Sequence, residues 1–281
     1  MKVAAVDVGG TSLRSALVDT ATGALAHYRV SPSRSAAGPR VLVEQIMEQL
    51  AGLERQAQRM GVGLGGGPVD HERGRIRGFT AGIPGWEDFP LESELQARTG
   101  LAVRVENDAN AAALAEWRFG NHGATRVLVY VTWSTGVSSG LVVEGRLFRG
   151  AFGTAGEVGH VPVGNARRRC VCGGTGCLEA TVSGRVLDAA RDAPRAYRRK
   201  LGATGAPWAR GLRTLVNLLG PEVVVVGGSI ALARFERIQA AWERARSGFL
   251  PPMDTQTRLS RSAVGEANVL VGAALAAEQA L

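Results

Sequence analysis

Val3-Ala4-Ala5-Val6-Asp7-Val8-Gly9-Gly10-Thr11-Ser12-Leu13-Arg14-Ser15-Ala16-Leu17-Val18-Asp19 places two apolar runs on either side of a glycine turn. The alternation reads as strand, tight turn and strand, and Thr22-Gly23 before residues 25–30 adds a third strand to make a meander. The chemistry lies in the turn. Asp7 leaves the first strand just before Gly9, Gly10 and Thr11, whose backbone N–H groups and hydroxyl can point at one anion, and its carboxylate can orient a hydrated Mg²⁺ nearby. A plain hairpin turn would carry similar residues, so the reading depends on whether the pattern recurs.

It recurs half a chain later. Residues 127–132 form an apolar strand, 133–140 a Gly/Ser/Thr loop with Thr135 and Gly136, and 141–143 a strand closing on Glu144-Gly145. A third small-residue loop, Gly227-Gly228, follows the buried-strand run 223–226. Three such loops at strand ends suit a nucleotide in a cleft between two related halves. Between them the spacing of Val41, Ile46, Met47, Leu50 and Leu53 predicts a crossover helix over about 39–60. Gly61-Val62-Gly63-Leu64 reads as the next strand, and Gly65-Gly66-Gly67-Pro68 as a loop that lets backbone approach a ligand closely. Residues 91–98, 109–119, 212–219 and 265–281 read as helices, and 103–105 as a short strand ending at Glu106-Asn107-Asp108.

All three cysteines fall in one pattern, His160-x9-Cys170-x-Cys172-x4-Cys177. Three thiols cannot pair off, and a thiolate and imidazole set at this spacing fits tetrahedral Zn²⁺; ordinary buried or redox-active thiols are the alternative. Four protein ligands close the coordination sphere, so the metal is expected to be structural. Four further polar side chains fall where loops should meet: Asn107, Asp108, Glu157 and Glu179. Asp108 at a helix start can serve as a general base or, as a lone Asp there commonly does, as a helix cap. Glu157 and Glu179 flank the metal pattern and are held by it, or else lie on a solvated face.

Composition bounds the rest. The 281 residues include 45% hydrophobic and 21% charged residues, enough for a sizeable core in one large or two smaller domains. The longest apolar runs fall far short of the roughly 20 residues needed to cross a bilayer, and Asp7 and the glycines interrupt any signal-peptide core. No membrane association is expected, and reduced thiols fit a cytoplasmic chain. The net charge of +8 is almost entirely dispersed arginine, and aromatics are 5% of the chain, so nucleic-acid binding is not expected.

In order, Asp-Val-Gly-Gly-Thr (7–11), Glu-Asn-Asp-Ala-Asn-Ala-Ala-Ala-Leu-Ala-Glu (106–116), Ala-Gly-Glu-Val-Gly-His (155–160), Cys-x-Cys-Gly-Gly-Thr-Gly-Cys-Leu-Glu (170–179) and Val-Val-Val-Val-Gly-Gly (223–228) closely resemble the ROK family of sugar kinases and repressors, especially its bacterial glucokinases. The resemblance runs across nearly the whole chain. It implies an α/β, two-domain actin-like ATPase (ribonuclease H-like) fold with an interdomain cleft. The small domain is expected over 1–108, completed by the terminal helix at about 265–281, and the larger one over 109–264. It implies ATP-dependent phosphorylation of the 6-hydroxyl of glucose or a related hexose. Asp108 is then the base, and Asn107, Glu157, His160 and Glu179 hold the other hydroxyls. Gly66, Gly67 and Trp86 match sugar-side loops. Phosphates and Mg²⁺ lie against Asp7, Gly9, Gly10, Thr11, Thr135 and Gly136, with adenosine near Gly227 and Gly228, and a homodimer is implied. The repressors carry an added N-terminal DNA-binding domain, whereas the first strand here starts at residue 3, so repression is not expected. Mannose, fructose or an N-acetylated hexosamine stand beside glucose as substrates, and a sugar-binding sensor of weak activity stands beside the kinase.

The chain also departs from the pattern. Where similar kinases read roughly Gly-Thr-Gly-x-Gly-Gly-Gly, it has Ser134-Thr135-Gly136-Val137-Ser138-Ser139-Gly140, and the added Cβ atoms would hinder any positive φ the loop needs. The 65–69 loop is one residue short, and the stretch between Gly184 and Pro221 is abbreviated.

Overall fold

The opening residues form β1 (Lys2–Val8) and β2 (Ser12–Asp19), antiparallel with Val3 opposite Val18 and Asp7 opposite Arg14. The computed structural model describes residues 1–77, 85–164, 168–189 and 192–279. β3 (Leu25–Pro32) completes the meander. α1 (Pro39–Leu50) starts with proline in its first turn, where the missing N–H costs nothing. It ends ten residues earlier than the spacing suggests, because Gly52 turns the chain with a φ of 86° into a short 3₁₀ turn, Glu54–Gln56. β4 (Arg59–Leu64) then lies parallel to β1. The small hairpin β5 (Val69–Asp70) and β6 (Arg75–Ile76) and helix α2 (Leu91–Thr99) lead to β7 (Ala102–Asn107), parallel to β4. The sheet order is β3-β2-β1-β4-β7.

Val6, Val8, Leu13, Ile46, Leu64, Leu91 and Val105 share one core with Trp86. Trp86 is fully buried, edge-on to Phe89 at 5.8 Å between ring centroids. Its indole therefore serves the core of this unit. Two helices cover the other side of the sheet: α3 (Asp108–Phe119) and α11 (Asn268–Gln279) pack on each other, and α11 lies across β4 and β1. Glycines make that approach possible. A Cβ on Gly61 would run into the Ala273 backbone, and one on Gly272 into the backbone of Ala111.

The second sheet repeats the first. β8 (Val127–Trp133) and β9 (Val137–Val143) form the hairpin, β10 (Arg146–Leu147) is the outer strand, and β11 (Val223–Gly227) and β12 (Arg258–Arg261) add in parallel, in the order β10-β9-β8-β11-β12. Numbered within each sheet, both run third, second, first, fourth, fifth. The helices here are α4 (Leu178–Val182), α5 (Gly184–Asp188), α6 (Pro194–Gly202), α7 (Gly205–Leu219), α8 (Ser229–Ala233), α9 (Phe235–Arg246) and α10 (Met253–Gln256). Trp133 and Trp208 meet at 5.3 Å in the core with Leu212, Val216, Ile238 and Trp242, and the Trp133 indole N–H donates to the Val182 carbonyl.

The chain forms two compact units, one of Met1–Gly120, Leu147–Ala155 and Glu266–Leu281, the other of Asn121–Arg146 and Gly156–Gly265. The boundary expected after residue 108 therefore falls later. Helix α3 belongs to the first unit because its alanine face packs on α11, and the segment Leu147–Ala155 returns to that unit as well.

Candidate active site

In the first unit the ends of β1, β4 and β7 lie side by side, since the three strands are parallel neighbours. The β1–β2 turn is closed by the Gly9 N–H donating to the Ser12 carbonyl at 3.0 Å, which leaves Gly10 and Thr11 exposed. Asp7 is buried at the strand end and accepts a hydrogen bond from Arg14 at 2.9 Å. Burial pushes its carboxyl above the ordinary value, against the opposing pull of the Arg14 guanidinium.

The β4 loop returns beside it, Gly65 N–H donating to the Val8 carbonyl at 3.0 Å. A Cβ on Gly65 would stand 3.1 Å from Asp108 Oδ2, so the glycine lets the carboxylate sit against this loop. Gly66 has a φ of 97°, a conformation that glycine adopts without strain. The helix cap is Asn107 and not Asp108: Asn107 Oδ1 accepts from the Ala109 and Asn110 N–H groups at 2.9 and 3.2 Å, which fixes where its amide nitrogen points. Asp108, one residue into α3, accepts from the Ala109 N–H at 2.8 Å through Oδ1.

Beneath this pair lies a group the sequence reading passed over. Glu106 is fully buried. Its Oε1 accepts from the Asn107 N–H and Asn110 Nδ2, both at 3.0 Å, and its Oε2 is forked by Arg149 Nε at 2.8 Å and an Arg149 terminal nitrogen at 2.7 Å. Burial alone would raise its pKa, but His71, Arg149 and Asn110 outweigh it and hold the carboxyl at about 2. One signal was available: alternation along β7 puts Glu106 on the opposite face from Val105 and Asn107, in register with Arg104 two residues before it. Arg149 had none, lying 43 residues away.

In the second unit the β8–β9 turn is Ser134-Thr135-Gly136, closed by Ser134 N–H to the Gly136 carbonyl at 3.0 Å. The expectation that serine hinders the loop is not met. Ser138 and Ser139 lie in β9, no described serine has a positive φ, and Ser139 Oγ is spent on the Gly156 carbonyl at 2.5 Å. Gly227-Gly228 ends β11, the parallel neighbour of β8, and Ser229 Oγ meets Ser134 Oγ at 3.1 Å, so two of the three small-residue loops adjoin. Gly228 has a φ of 89°, and a Cβ there would stand 2.6 Å from the Trp133 carbonyl oxygen.

Glu179 also reaches this turn. Its Oε2 accepts from the Val137 N–H at 2.9 Å and its Oε1 from Arg185 at 3.0 Å, so it is buried and braced, not part of a solvated face. Glu157 and His160 bound a short 3₁₀ turn at Gly159, where a Cβ would lie 3.4 Å from Glu179 Cβ. Burial and the neighbouring Glu179 charge raise the Glu157 pKa, with His160 pulling the other way.

The metal pattern closes on itself. One ligand atom from each of His160, Cys170, Cys172 and Cys177 lies within 4.8 Å of every other. Cys172 and Cys177 sulfurs are 3.8 Å apart, the edge of a tetrahedron with metal–sulfur bonds of about 2.3 Å. His160 Nδ1 faces Cys170 Sγ at 3.5 Å and its Nε2 faces Glu157 at 3.7 Å, so the ring can bind metal on one side and donate a hydrogen bond on the other. Gly173 and Gly176, with φ of 88° and 72°, wind the chain around the cluster. The donor set and its spacing fit Zn²⁺. No described helix is long and apolar enough to cross a membrane.

Among curated proteins the chain is 36% identical over 183 residues to a glucokinase of Streptomyces coelicolor, covering 65% of this chain and 56% of that protein. It thus spans little more than half of that relative. It is 34% identical over 250 residues to an N-acetylmannosamine kinase of Escherichia coli, covering 83% and 84% of the two. Among solved structures it is similar to a ROK family glucokinase from Streptomyces griseus in complex with glucose and AMPPNP, at 27% identity and a TM-score of 0.83 over 99% of this chain and 100% of that one. The α/β fold with its two mixed sheets is the two-domain actin-like ATPase fold of the ROK sugar kinases. The ROK family model matches residues 3–280, and with these relatives it shows that the chain belongs to the ROK family.

Proposed function

We propose that this chain transfers the γ-phosphoryl group of ATP to the 6-hydroxyl of glucose or a related hexose, with Asp108 as general base. The observation that carries the reading is the placement of Asp108: its neighbour Asn107 takes the capping role, and its Oδ2 faces the Gly65 loop. A carboxylate there can accept the hydroxyl proton as the oxygen attacks phosphorus. As the family resemblance implies, Asn107, Asp108, the Gly66-Gly67 backbone, Glu157, His160 and Glu179 hold the sugar hydroxyls. Gly9, Gly10, Thr11, Thr135 and Gly136 take the phosphates, and Gly227 and Gly228 lie beside the adenosine. Mg²⁺, when bound near Asp7, neutralises phosphate charge. Zn²⁺ on His160, Cys170, Cys172 and Cys177 is structural and fixes His160, Glu157 and Glu179. Reduced thiols fit work in the cytoplasm, and the family resemblance implies a homodimer.

Both glucokinase and N-acetylmannosamine kinase relatives support a hexose substrate, and the choice between them rests on a few hydroxyl contacts. An ADP-release assay with Mg-ATP against glucose, mannose, fructose and N-acetylmannosamine, beside calorimetric sugar binding, tests the proposal. Asp108→Asn is expected to lower turnover by about a hundred- to ten-thousandfold while sugar affinity holds. Wild-type turnover in that variant would remove Asp108 as the base. Sugar binding without turnover in the wild-type chain would favour the sensor.

A further inference from the structure

Three features of the second unit converge on one side chain to which neither the motifs nor the proposed function gives a task. The Ser134–Gly136 turn has its carbonyl side pinned by α5: Gly184 N–H donates to the Ser134 carbonyl at 2.8 Å and Arg185 N–H to the Thr135 carbonyl at 3.1 Å. On its other side the N–H groups of Thr135 and Gly136 have no protein partner among the described residues, and Thr135 is exposed. Against this turn stands a carboxylate, since a Cβ on Gly136 would lie 2.7 Å from Glu179 Oε2. An uncompensated negative charge there would oppose any anion seeking those amides. The Arg185 guanidinium supplies the compensation. One terminal nitrogen sits 3.0 Å from Glu179 Oε1 and 3.7 Å from the same point above Gly136.

We propose that Arg185 is a phosphate-binding residue: it neutralises Glu179 at the Thr135–Gly136 turn and presents its remaining N–H donors to the nucleotide phosphates. A guanidinium has five donors, and the Glu179 bond uses one. Its side chain is 38% exposed, so a ligand can reach it. Each Glu179 oxygen keeps a second lone pair, so its role toward the sugar is compatible with this pairing. The inference rests on the reading that the chain binds nucleotide at this turn.

Calorimetry with Mg-AMPPNP tests it. Wild-type binding is measured first, and its failure would overturn the nucleotide reading itself before any variant is made. Given wild-type binding, Arg185→Met is expected to raise the Kd about ten- to a hundredfold, because a charged hydrogen bond and a neutralising charge are both lost. Arg185→Lys is expected to recover part of that loss by keeping the charge, and Glu179→Gln added to Arg185→Met to bind better than Arg185→Met alone, because the uncompensated negative charge beside the turn is gone. An unchanged Kd in folded Arg185→Met overturns the proposal. Should the methionine variant not fold, phenylglyoxal labelling of the wild-type chain, read by peptide mapping, gives the same answer. AMPPNP is expected to slow modification of Arg185, and equal rates with and without it would overturn the assignment.

Discussion

Glu106 carries its charge where water does not reach, so its ionisation is tied to the fold. A carboxyl at about 2 in the folded chain against an ordinary value of 4.5 stabilises the native state above pH 4.5, and that contribution is lost as pH falls from 4.5 through 2. Urea melts are therefore expected to lose on the order of 3 kcal/mol across this window. Arg149→Met, which strips the forked partner from Oε2, is expected to destabilise by about 3 kcal/mol at neutral pH. An acid limb that Glu106→Gln leaves unchanged would assign the loss to other groups. At the metal cluster, Cys172→Ser is expected to lower bound zinc, melting temperature and sugar affinity together. Wild-type chain that carries no zinc in metal analysis would remove that linkage. The metal pattern was legible from the sequence, since His160 and the three cysteines stand at ligand spacing and their ligand atoms come together; Asn107 and Glu157 stood out only as polar residues where loops should meet and through the family resemblance. Arg149 and Arg185 were not, because a partner brought in from another segment leaves no local pattern. The burial of Trp86 was not legible either, since a buried indole and a ligand-facing one look alike in sequence.

Among the elements, the close seating of α11 on β4 and α3 rests on positions with no side chain. Gly61→Ala and Gly272→Ala each push a methyl into backbone that cannot yield, so each is expected to cost about 1–3 kcal/mol or more in chemical denaturation. Gly202→Ala, in α6 with nothing within 4 Å of its Cβ position, is expected to be neutral or slightly stabilising, and an equal loss there would refute the packing argument. Strands β1 to β4, β7, β8 and β11 were legible from alternation and apolar runs, whereas β5, β6, β10 and β12, of two to four residues each, were too short to show either. The helix expected to reach residue 60 stops at Leu50, because α1 hydrophobic spacing continues through Leu53 although Gly52 has already turned the chain. Ser138 and Ser139 looked like loop residues by composition yet lie in β9, where antiparallel pairing with β8 overrides their weak strand preference.

For the molecule as a whole, two sheets of the same strand order each begin with a hairpin whose turn carries small residues. The repeat was legible in the two hairpins, and the shared order extends it to the parallel strands. The division into units was less so. The sequence pointed to two stretches for the first unit, 1–108 and the terminal helix at about 265–281, and here it takes three. Nothing local in Leu147–Ala155 marks it as returning to the first unit, since its attachment runs through Arg149 to Glu106.

That discontinuity bears on how the protein is made. The floor of the first sheet, β1 and β4, leaves the ribosome early, while α11, which covers it, starts at Asn268. About 200 residues must be added in between, a delay of roughly 10–40 s at ordinary rates of translation. The second unit, though encoded later, has almost all of its own residues available before the first can close. Nascent chains are thus expected to acquire their structure in the reverse of reading order, with an apolar sheet face open to chaperones until α11 has been made.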